Sequence, residues 1–260
     1  MGMVTSFSPY RFTNSRISDA VRKSFVHLDY GIHETKLFRS KGLVGLAKFI
    51  VKEFPDGIPV FNLACSYGHE PYSMALVIAD QLGSMKQVSE RYPIFASDRA
   101  KEVIDAAQSG ILWIDDKNLD TLKSFRASKH IINPVKVDDE TIEFQISEEL
   151  FGAVSFRESN LVNEVRNITP GLPVVTIINN VWYYLDEDTV SNLVLALRDS
   201  LPPGSILAMG NGDSKLCFYR NGTLGNHFAG SDLYDDISHK LEEKDIFWEK
   251  TVFQRSRNCQ

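Results

Sequence analysis

The sequence predicts an α/β fold in which helices cover both faces of a mainly parallel sheet. Three observations support this fold class. Short apolar segments alternate with segments of helical periodicity, several apolar segments end in polar residues, and Gly or Pro stands at many of the boundaries. Strands that alternate with helices in this way typically form a parallel sheet. The chain has 260 residues, of which 43% are hydrophobic and 24% charged, an ordinary globular composition.

Each element follows from local signals. The helical segments carry apolar residues three or four positions apart, whereas the strands are short apolar segments. Helices are predicted at 16–28, 42–54, 70–83, 99–110, 119–125 and 186–204, the last capped by Asp186 or Asp188. Strands are predicted at 59–64, 92–98, 154–161, 172–180, 205–214 and, as an antiparallel closing strand, 245–256. An Asn-Gly pair at 221–222 indicates a hairpin turn.

Residues 111–157 interrupt the alternation of strands and helices. Within them, residues 132–146 read as two strands around an acidic turn, which predicts a small β-hairpin insertion. We therefore expect an N-terminal helical arm over residues 1–45 and one main domain over residues 46–260. The inserted subdomain occupies about 111–157 of that domain.

Composition argues against several classes of protein. The three cysteines, Cys65, Cys217 and Cys259, are few and far apart, which argues against a disulfide framework or a zinc site and favours a cytoplasmic location. No apolar segment reaches the length of a membrane span, and the N-terminus lacks the pattern of a signal peptide. The net charge is −6 and no basic patch with interleaved aromatic residues occurs, so a nucleic-acid partner is not expected.

Two acidic residues follow the first two predicted strands. Glu70 stands at the start of the helix after strand 59–64, and Asp98 ends strand 92–98. The carboxyl ends of parallel strands share one crevice, where an acid after the second strand typically binds ribose hydroxyls. Glu70 would repel a phosphate but would suit an amine, and S-adenosylmethionine (SAM) has both an amine and a ribose. The alternative is that Glu70 only caps its helix and Asp98 only begins the next one.

Five segments carry a family resemblance when taken together. They are ETKLFRS (34–40), ACSYGHEPYSMAL (64–76), FASDRAKEVIDAAQSGIL (95–112), FRESNLV (156–162) and IINNVWYYLDEDT (177–189). In order and spacing, from about residue 33 to 215, they resemble the CheR-type chemotaxis-receptor glutamate methyltransferases. The resemblance implies a Rossmann-like, class I SAM-dependent methyltransferase sheet. It also implies SAM as the cofactor, SAH (S-adenosylhomocysteine) as the product and a protein acceptor such as a chemoreceptor, with no metal.

The resemblance also implies a set of site residues. The cofactor-binding positions carried over are Thr35, Arg39, Glu70, Asp98, Asn160, Leu161 and Asn180. Arg39 would bind the methionine carboxylate, Glu70 the amine, Asp98 the ribose and Asn160 the adenine edge. Arg39 and Tyr184 are the candidate catalytic residues, because they could border the methyl group and orient the acceptor. The alternatives are a surface ion pair for Arg39, turn-forming roles for Asn160 and Asn180, and core packing for Tyr184.

The sequence departs from the family pattern at three positions near these residues, one of which is Leu37, where the family has the first of two Phe residues. His33 stands where the family has Asn, and Asn179 stands where it has Arg. The expected activity is methyl transfer to a carboxylate, most simply a protein glutamate. Such a reaction needs no general base, because an ionised carboxylate is already a nucleophile. The alternatives are a SAM- or SAH-binding module without turnover, acting as a sensor or scaffold, and a small-molecule methyltransferase on the same fold.

Overall fold

A computed structural model describes residues 41–115, 119–137, 141–168, 171–209, 234–236 and 252–255. Their main sheet has seven strands in the order β6-β2-β1-β7-β8-β10-β9. These strands are β1 Val60–Leu63, β2 Ile94–Asp98, β6 Val154–Glu158, β7 Val175–Ile178, β8 Ile206–Met209, β9 Tyr234–Asp236 and β10 Val252–Arg255. The first five in the order are parallel, and β10 is antiparallel to β8 and β9. The predicted parallel sheet with an antiparallel closing strand is confirmed.

Helices join the parallel strands and lie on both faces of the sheet. They are α1 Lys41–Glu53, α2 His69–Leu82, α3 Met85–Arg91, α4 Lys101–Ala107, α5 Leu119–Ser124, α6 Glu148–Phe151, α7 Leu161–Arg166 and α8 Glu187–Ser200. Helix α1 and helix α2 belong to one apolar core with one face of the sheet. Helices α7 and α8 belong to a second core, which includes Leu63, Ile178 and Leu207 from the other face.

The inserted segment forms a second sheet with the strand order β3-β5-β4. Its strands are β3 Ile111–Asp115, β4 Ile131–Lys136 and β5 Thr141–Ile146, and both pairs are antiparallel. The predicted hairpin is therefore present as β4 and β5, and β3 extends it to three strands. Buried residues of this sheet, among them Leu112 and Phe144, pack into the first core.

Several boundaries agree with the chemistry of the residues there. Helix α2 ends at Gly83, which has the left-handed φ of 72° that favours glycine. Asp186, rather than Asp188, caps α8, since its side chain accepts a hydrogen bond from the Thr189 amide. The helix predicted at 16–28 and the hairpin turn at 221–222 lie outside the described residues. The division at residue 45 stays a prediction.

Candidate functional site

The carboxyl ends of β1, β2, β6 and β7 form one edge of the main sheet. From β1 the chain runs outward to β2 and β6 on one side and then returns to β7 on the other side. The gap above β1 and β7 is therefore the topological switch point, where open α/β sheets bind their ligands. The residues predicted from sequence to follow these strands all lie along this edge.

Glu70 lies in the first turn of α2, and its carboxylate is bound by two asparagine side chains. The Asn62 Nδ2 donates to Glu70 Oε1 over 2.6 Å, and the Asn179 Nδ2 donates to Glu70 Oε2 over 2.7 Å. These donors come from β1 and from the loop after β7, so Glu70 spans the switch point. The N-cap residue of α2 is Gly68, which has no side chain, and Glu70 follows it two positions later.

Asp98 connects the loops that follow β1 and β2. Its Oδ2 accepts a hydrogen bond from the Ser66 backbone amide over 3.0 Å, and its Oδ1 accepts one from the Ala100 amide over 3.1 Å. The bond to Ala100, the N-cap residue of α4, is compatible with the alternative in which Asp98 begins the next helix, whereas the bond to Ser66 connects Asp98 to the loop after β1. A carboxylate has about four acceptor sites, so two such bonds leave capacity for ligand hydroxyls.

The loop between β1 and α2 has an unusual backbone. Ala64, Ser66 and Gly68 have φ angles of 58°, 50° and 80°, all in the left-handed region. A Cβ at Gly68 would lie 3.0 Å from both the Ala107 Cβ and the Phe156 ring. The close packing of α2 against α4 and β6 therefore favours glycine at position 68.

Asn160 and Leu161 follow β6 at the same edge. The Asn160 Oδ1 accepts a hydrogen bond from the Val162 amide over 3.0 Å, so this asparagine caps α7. The sequence left open a turn-forming role for Asn160, and the structure shows a helix-capping role, which uses one polar atom of the side chain. The Ser159 amide donates to the Asp98 carbonyl over 2.8 Å, which connects this loop to the one after β2.

An ion pair between a buried glutamate and a half-exposed arginine connects α7 to the sheet. Glu164 in α7 is 1% exposed, and its carboxylate binds the Arg157 guanidinium through Nε, over 2.7 Å, and through Nη2. Bidentate pairs of this kind fix the orientation of both groups. The sequence offered no sign of this pair, because Arg157 and Glu164 are separated by the turn that begins α7.

Asn180 and Tyr184 follow β7. Asn180 has a φ of 58°, which agrees with a turn-forming role. Tyr184 ends a short 3-10 helix, Trp182–Tyr184, and is 52% exposed, so the alternative of core packing is wrong. Trp182 is the residue that packs into the core, where its indole N–H donates to the Ile178 carbonyl.

His69 is a residue whose environment the sequence did not predict. It is 1% exposed, its Nε2 accepts a hydrogen bond from the Trp113 amide over 3.0 Å, and its ring stacks on the Trp113 indole. The Trp113 indole N–H donates to Glu143 in β5. Burial lowers the pKa of His69 to about 3, so the imidazole is neutral near pH 7. His69 thus joins the start of α2 to the inserted sheet.

Burial also controls the thiol and phenol beside the crevice. Burial raises the pKa of Cys65, and the negative charges of Asp98 and Glu70 raise it further. Burial also raises the pKa of Tyr67 to about 12, with a further contribution from the charge of Asp98. Both groups are therefore neutral near pH 7. The remaining predicted site residues, Thr35 and Arg39, lie outside the described residues, as does His33.

Comparison with known sequences decides the family. Residues 33–216 match the family described as CheR methyltransferase, SAM binding domain. The chain belongs to this family. The resemblance stated over residues 33–215 is thereby confirmed, and SAM is confirmed as the cofactor of this family's domain.

Two curated relatives illustrate the similarity, and both are named chemotaxis protein methyltransferase. A chemotaxis protein methyltransferase of Salmonella typhimurium is 29% identical over 60% of this chain and 51% of its own length. Another from Borreliella burgdorferi is 25% identical over 77% of this chain and 69% of its own length. This chain thus spans about half the length of the Salmonella protein that it matches.

Among solved structures, the bifunctional kinase-methyltransferase WbdD gives a TM-score of 0.48 at 13% identity, covering 91% of this chain and 46% of WbdD. The methyltransferase domain of a bacterial Hen1 gives 0.37 at 17% identity, covering 72% and 74%. Nothing about the function follows from TM-scores of this size.

Two other kinds of feature are not found among the described residues. Within the described ranges, no group of three or more His, Cys, Asp or Glu side chains could hold a metal ion. No helix in this part of the chain is long and apolar enough to cross a membrane.

Proposed function

We propose that this chain transfers a methyl group from SAM to an ionised carboxylate, a glutamate side chain of a protein. The observation that carries the proposal is the pair of carboxylates, Glu70 and Asp98, held on either side of β1 at the switch point. Each is oriented by hydrogen bonds to both of its carboxylate oxygens, so their positions are fixed before a ligand binds. The match of the family over most of the chain supports the same reading.

The donor set fits the cofactor. Glu70 would bind the amine, and Asp98 the ribose hydroxyls, since carboxylates accept hydrogen bonds from both groups. Asn160 and Leu161 follow β6 and would border the adenine, whereas Asn180 follows β7 and stays a predicted cofactor contact without an assigned group. Thr35 and Arg39 stay predictions for the methionine carboxylate. When bound, SAM supplies an electrophilic methyl group on a sulfonium centre.

The residues of the chain have little acid–base chemistry to perform in this reaction. An acceptor carboxylate is ionised at neutral pH and attacks without a general base, so catalysis rests on orientation and exclusion of water. His69 is neutral and buried, and it does not enter the proposal as a base. Tyr184, which is half exposed, would orient the acceptor, and Arg39 stays a predicted partner in that role.

A protein acceptor such as a chemoreceptor is supported by the names of the curated relatives, which are chemotaxis protein methyltransferases. The cytoplasm stays the predicted location.

The test is calorimetric titration with SAM and with SAH, followed by a search for acceptors with labelled SAM. Replacing both carboxylates, Glu70→Ala with Asp98→Ala, should abolish binding of either ligand. A control variant, Glu90→Ala with Asp105→Ala, removes the same two charges from exposed ion pairs with Lys86 and Lys101, and should bind normally.

The outcomes separate the alternatives. Binding that survives in the Glu70 and Asp98 double variant would refute the site. Tight binding without methylation of any protein or small molecule would favour the module without turnover, and methylation of small carboxylates alone would favour the small-molecule enzyme. A labelled glutamate in a receptor protein would establish the proposal in full.

A further inference from the structure

We infer that Asn62 and Asn179 are positioning residues, which hold the Glu70 carboxylate in the orientation that receives the amine of the cofactor. The inference rests on the proposed function, because it explains the two asparagines by their effect on Glu70 as the group that binds the amine. Each amide donates to a different oxygen of the carboxylate, over 2.6 Å and 2.7 Å. A carboxylate fixed through both oxygens cannot rotate, so its remaining acceptor sites point in constant directions.

The burial of Asn62 indicates that this residue serves binding rather than stability. Asn62 is 0% exposed in the middle of β1, and its neighbours across the sheet at the same register are Ala96 and Ile177. Its Oδ1 is buried and has no hydrogen-bond partner among the residues that the structure describes. An unsatisfied buried oxygen destabilises a fold, so an apolar β-branched residue would suit this position better.

Asn179 supplies the second hydrogen bond from the far side of the switch point. It follows β7 directly and is partly exposed, and its amide reaches a residue 109 positions away in sequence. Asn62 and Asn179 are neutral donors, so they orient Glu70 without cancelling its negative charge. This arrangement suits a cationic group such as the protonated amine of SAM or SAH.

The test compares two ligands in the purified full chain. SAH has the amino-acid portion, whereas 5′-methylthioadenosine is a similar thionucleoside without it. Replacing Asn62 by Val should weaken SAH binding about tenfold, in line with the loss of one hydrogen bond to a charged group. Binding of 5′-methylthioadenosine should change less than about twofold, since it has no group that Glu70 binds. The melting temperature should stay the same or rise.

Thr176→Val is the matched control. Thr176 lies on the adjacent strand β7, is fully buried, and also has a hydroxyl without a partner among the described residues. Its register partner is Phe61, so its side chain lies on the opposite face of the sheet from that of Asn62. This control should leave the affinities for both ligands unchanged.

A second variant and a double-mutant cycle test the same inference independently of the folding of Asn62→Val. Asn179→Ala changes a partly exposed loop residue and should reproduce the selective loss of SAH affinity even where Asn62→Val fails to fold. In a Glu70→Gln background, Asn62→Val should cost no further affinity, because its effect passes through the carboxylate. An equal loss for both ligands, or unchanged SAH affinity, would overturn the inference. Failure of the wild-type chain to bind SAH would overturn the proposed function and the inference with it.

Discussion

His69 should make the free energy of unfolding depend on pH below neutrality. Its imidazole is buried, its Nε2 accepts the Trp113 amide, and burial lowers its pKa from 6.5 to about 3. Above pH 6.5 the residue is neutral in the folded and the unfolded chain and has no effect. Below pH 6.5 the unfolded chain binds a proton there that the folded chain does not, so stability falls as the pH falls towards 3.

The expected size follows from the width of this window. One pH unit corresponds to about 1.4 kcal/mol for one proton, so lowering the pH from 7 to 5 should cost the wild-type chain about 2 kcal/mol through His69 alone. The assay is urea unfolding of the chain without cofactor at both pH values. Subtracting the result for His69→Gln, which keeps a hydrogen-bond acceptor but does not titrate, isolates the contribution of His69.

A matched control is His130→Gln. Burial lowers the pKa of His130 as well, but Glu149, whose Oε2 lies 3.3 Å from the His130 Nδ1, opposes the shift. The pH dependence removed by His130→Gln should therefore be smaller than that removed by His69→Gln. If His69→Gln and the wild type lose the same stability between pH 7 and pH 5, His69 is protonated in the folded chain and the account of its burial is wrong.

Two further predictions concern the loop after β1 and the residue after β7. Gly68→Ala should lower the free energy of unfolding by about 2 kcal/mol or more, because it places a Cβ against Ala107 and Phe156 at a left-handed φ. Gly83→Ala also places a Cβ at a left-handed φ, but in open space, and should lower that free energy by only about 1 kcal/mol. Urea unfolding measures both values. An equal cost for both would refute the packing role. Tyr184→Ala should reduce methyl transfer while changing stability by less than about 0.5 kcal/mol, since the side chain is half exposed. Unchanged turnover would remove Tyr184 from the proposed acceptor site.

The sequence was most informative where local pattern and packing agree. Helix α2 was predicted at 70–83 and spans His69–Leu82, because apolar periodicity, Pro71 and Gly83 act together. Helix α3 was missed, although Ser84 accepts a hydrogen bond from the Gln87 amide as a capping residue would. Helix α7 and strands β3 and β9 were also missed, because segments of three to six residues carry too few apolar positions to reveal a period.

The candidate site also divides into residues that the sequence could predict and residues that it could not. Sequence reasoning could place Glu70 and Asp98 at one edge, because both follow strands of a parallel sheet. It treated Asn179 only as a departure from the family pattern and did not consider Asn62. Their contacts with Glu70 depend on β1 and β7 being neighbours, which local periodicity cannot show. A polar residue within an apolar strand, such as Asn62, was the one available signal.

Backbone strain locates the site independently of any family. Among the described residues, Ala64, Ser66, Asn133 and Asn180 are the non-glycine residues with positive φ. Three of the four lie immediately beyond β1 and β7, the two strands on either side of the switch point. A left-handed conformation costs a residue such as Ala about 1 kcal/mol or more, and strain of this kind concentrates at functional sites. The Asn62 Oδ1, which has no hydrogen-bond partner within the described ranges, adds a second unfavourable feature beside the same gap. A fold selected only for stability would have removed both kinds of cost, so their coincidence at this edge supports a ligand that makes use of them.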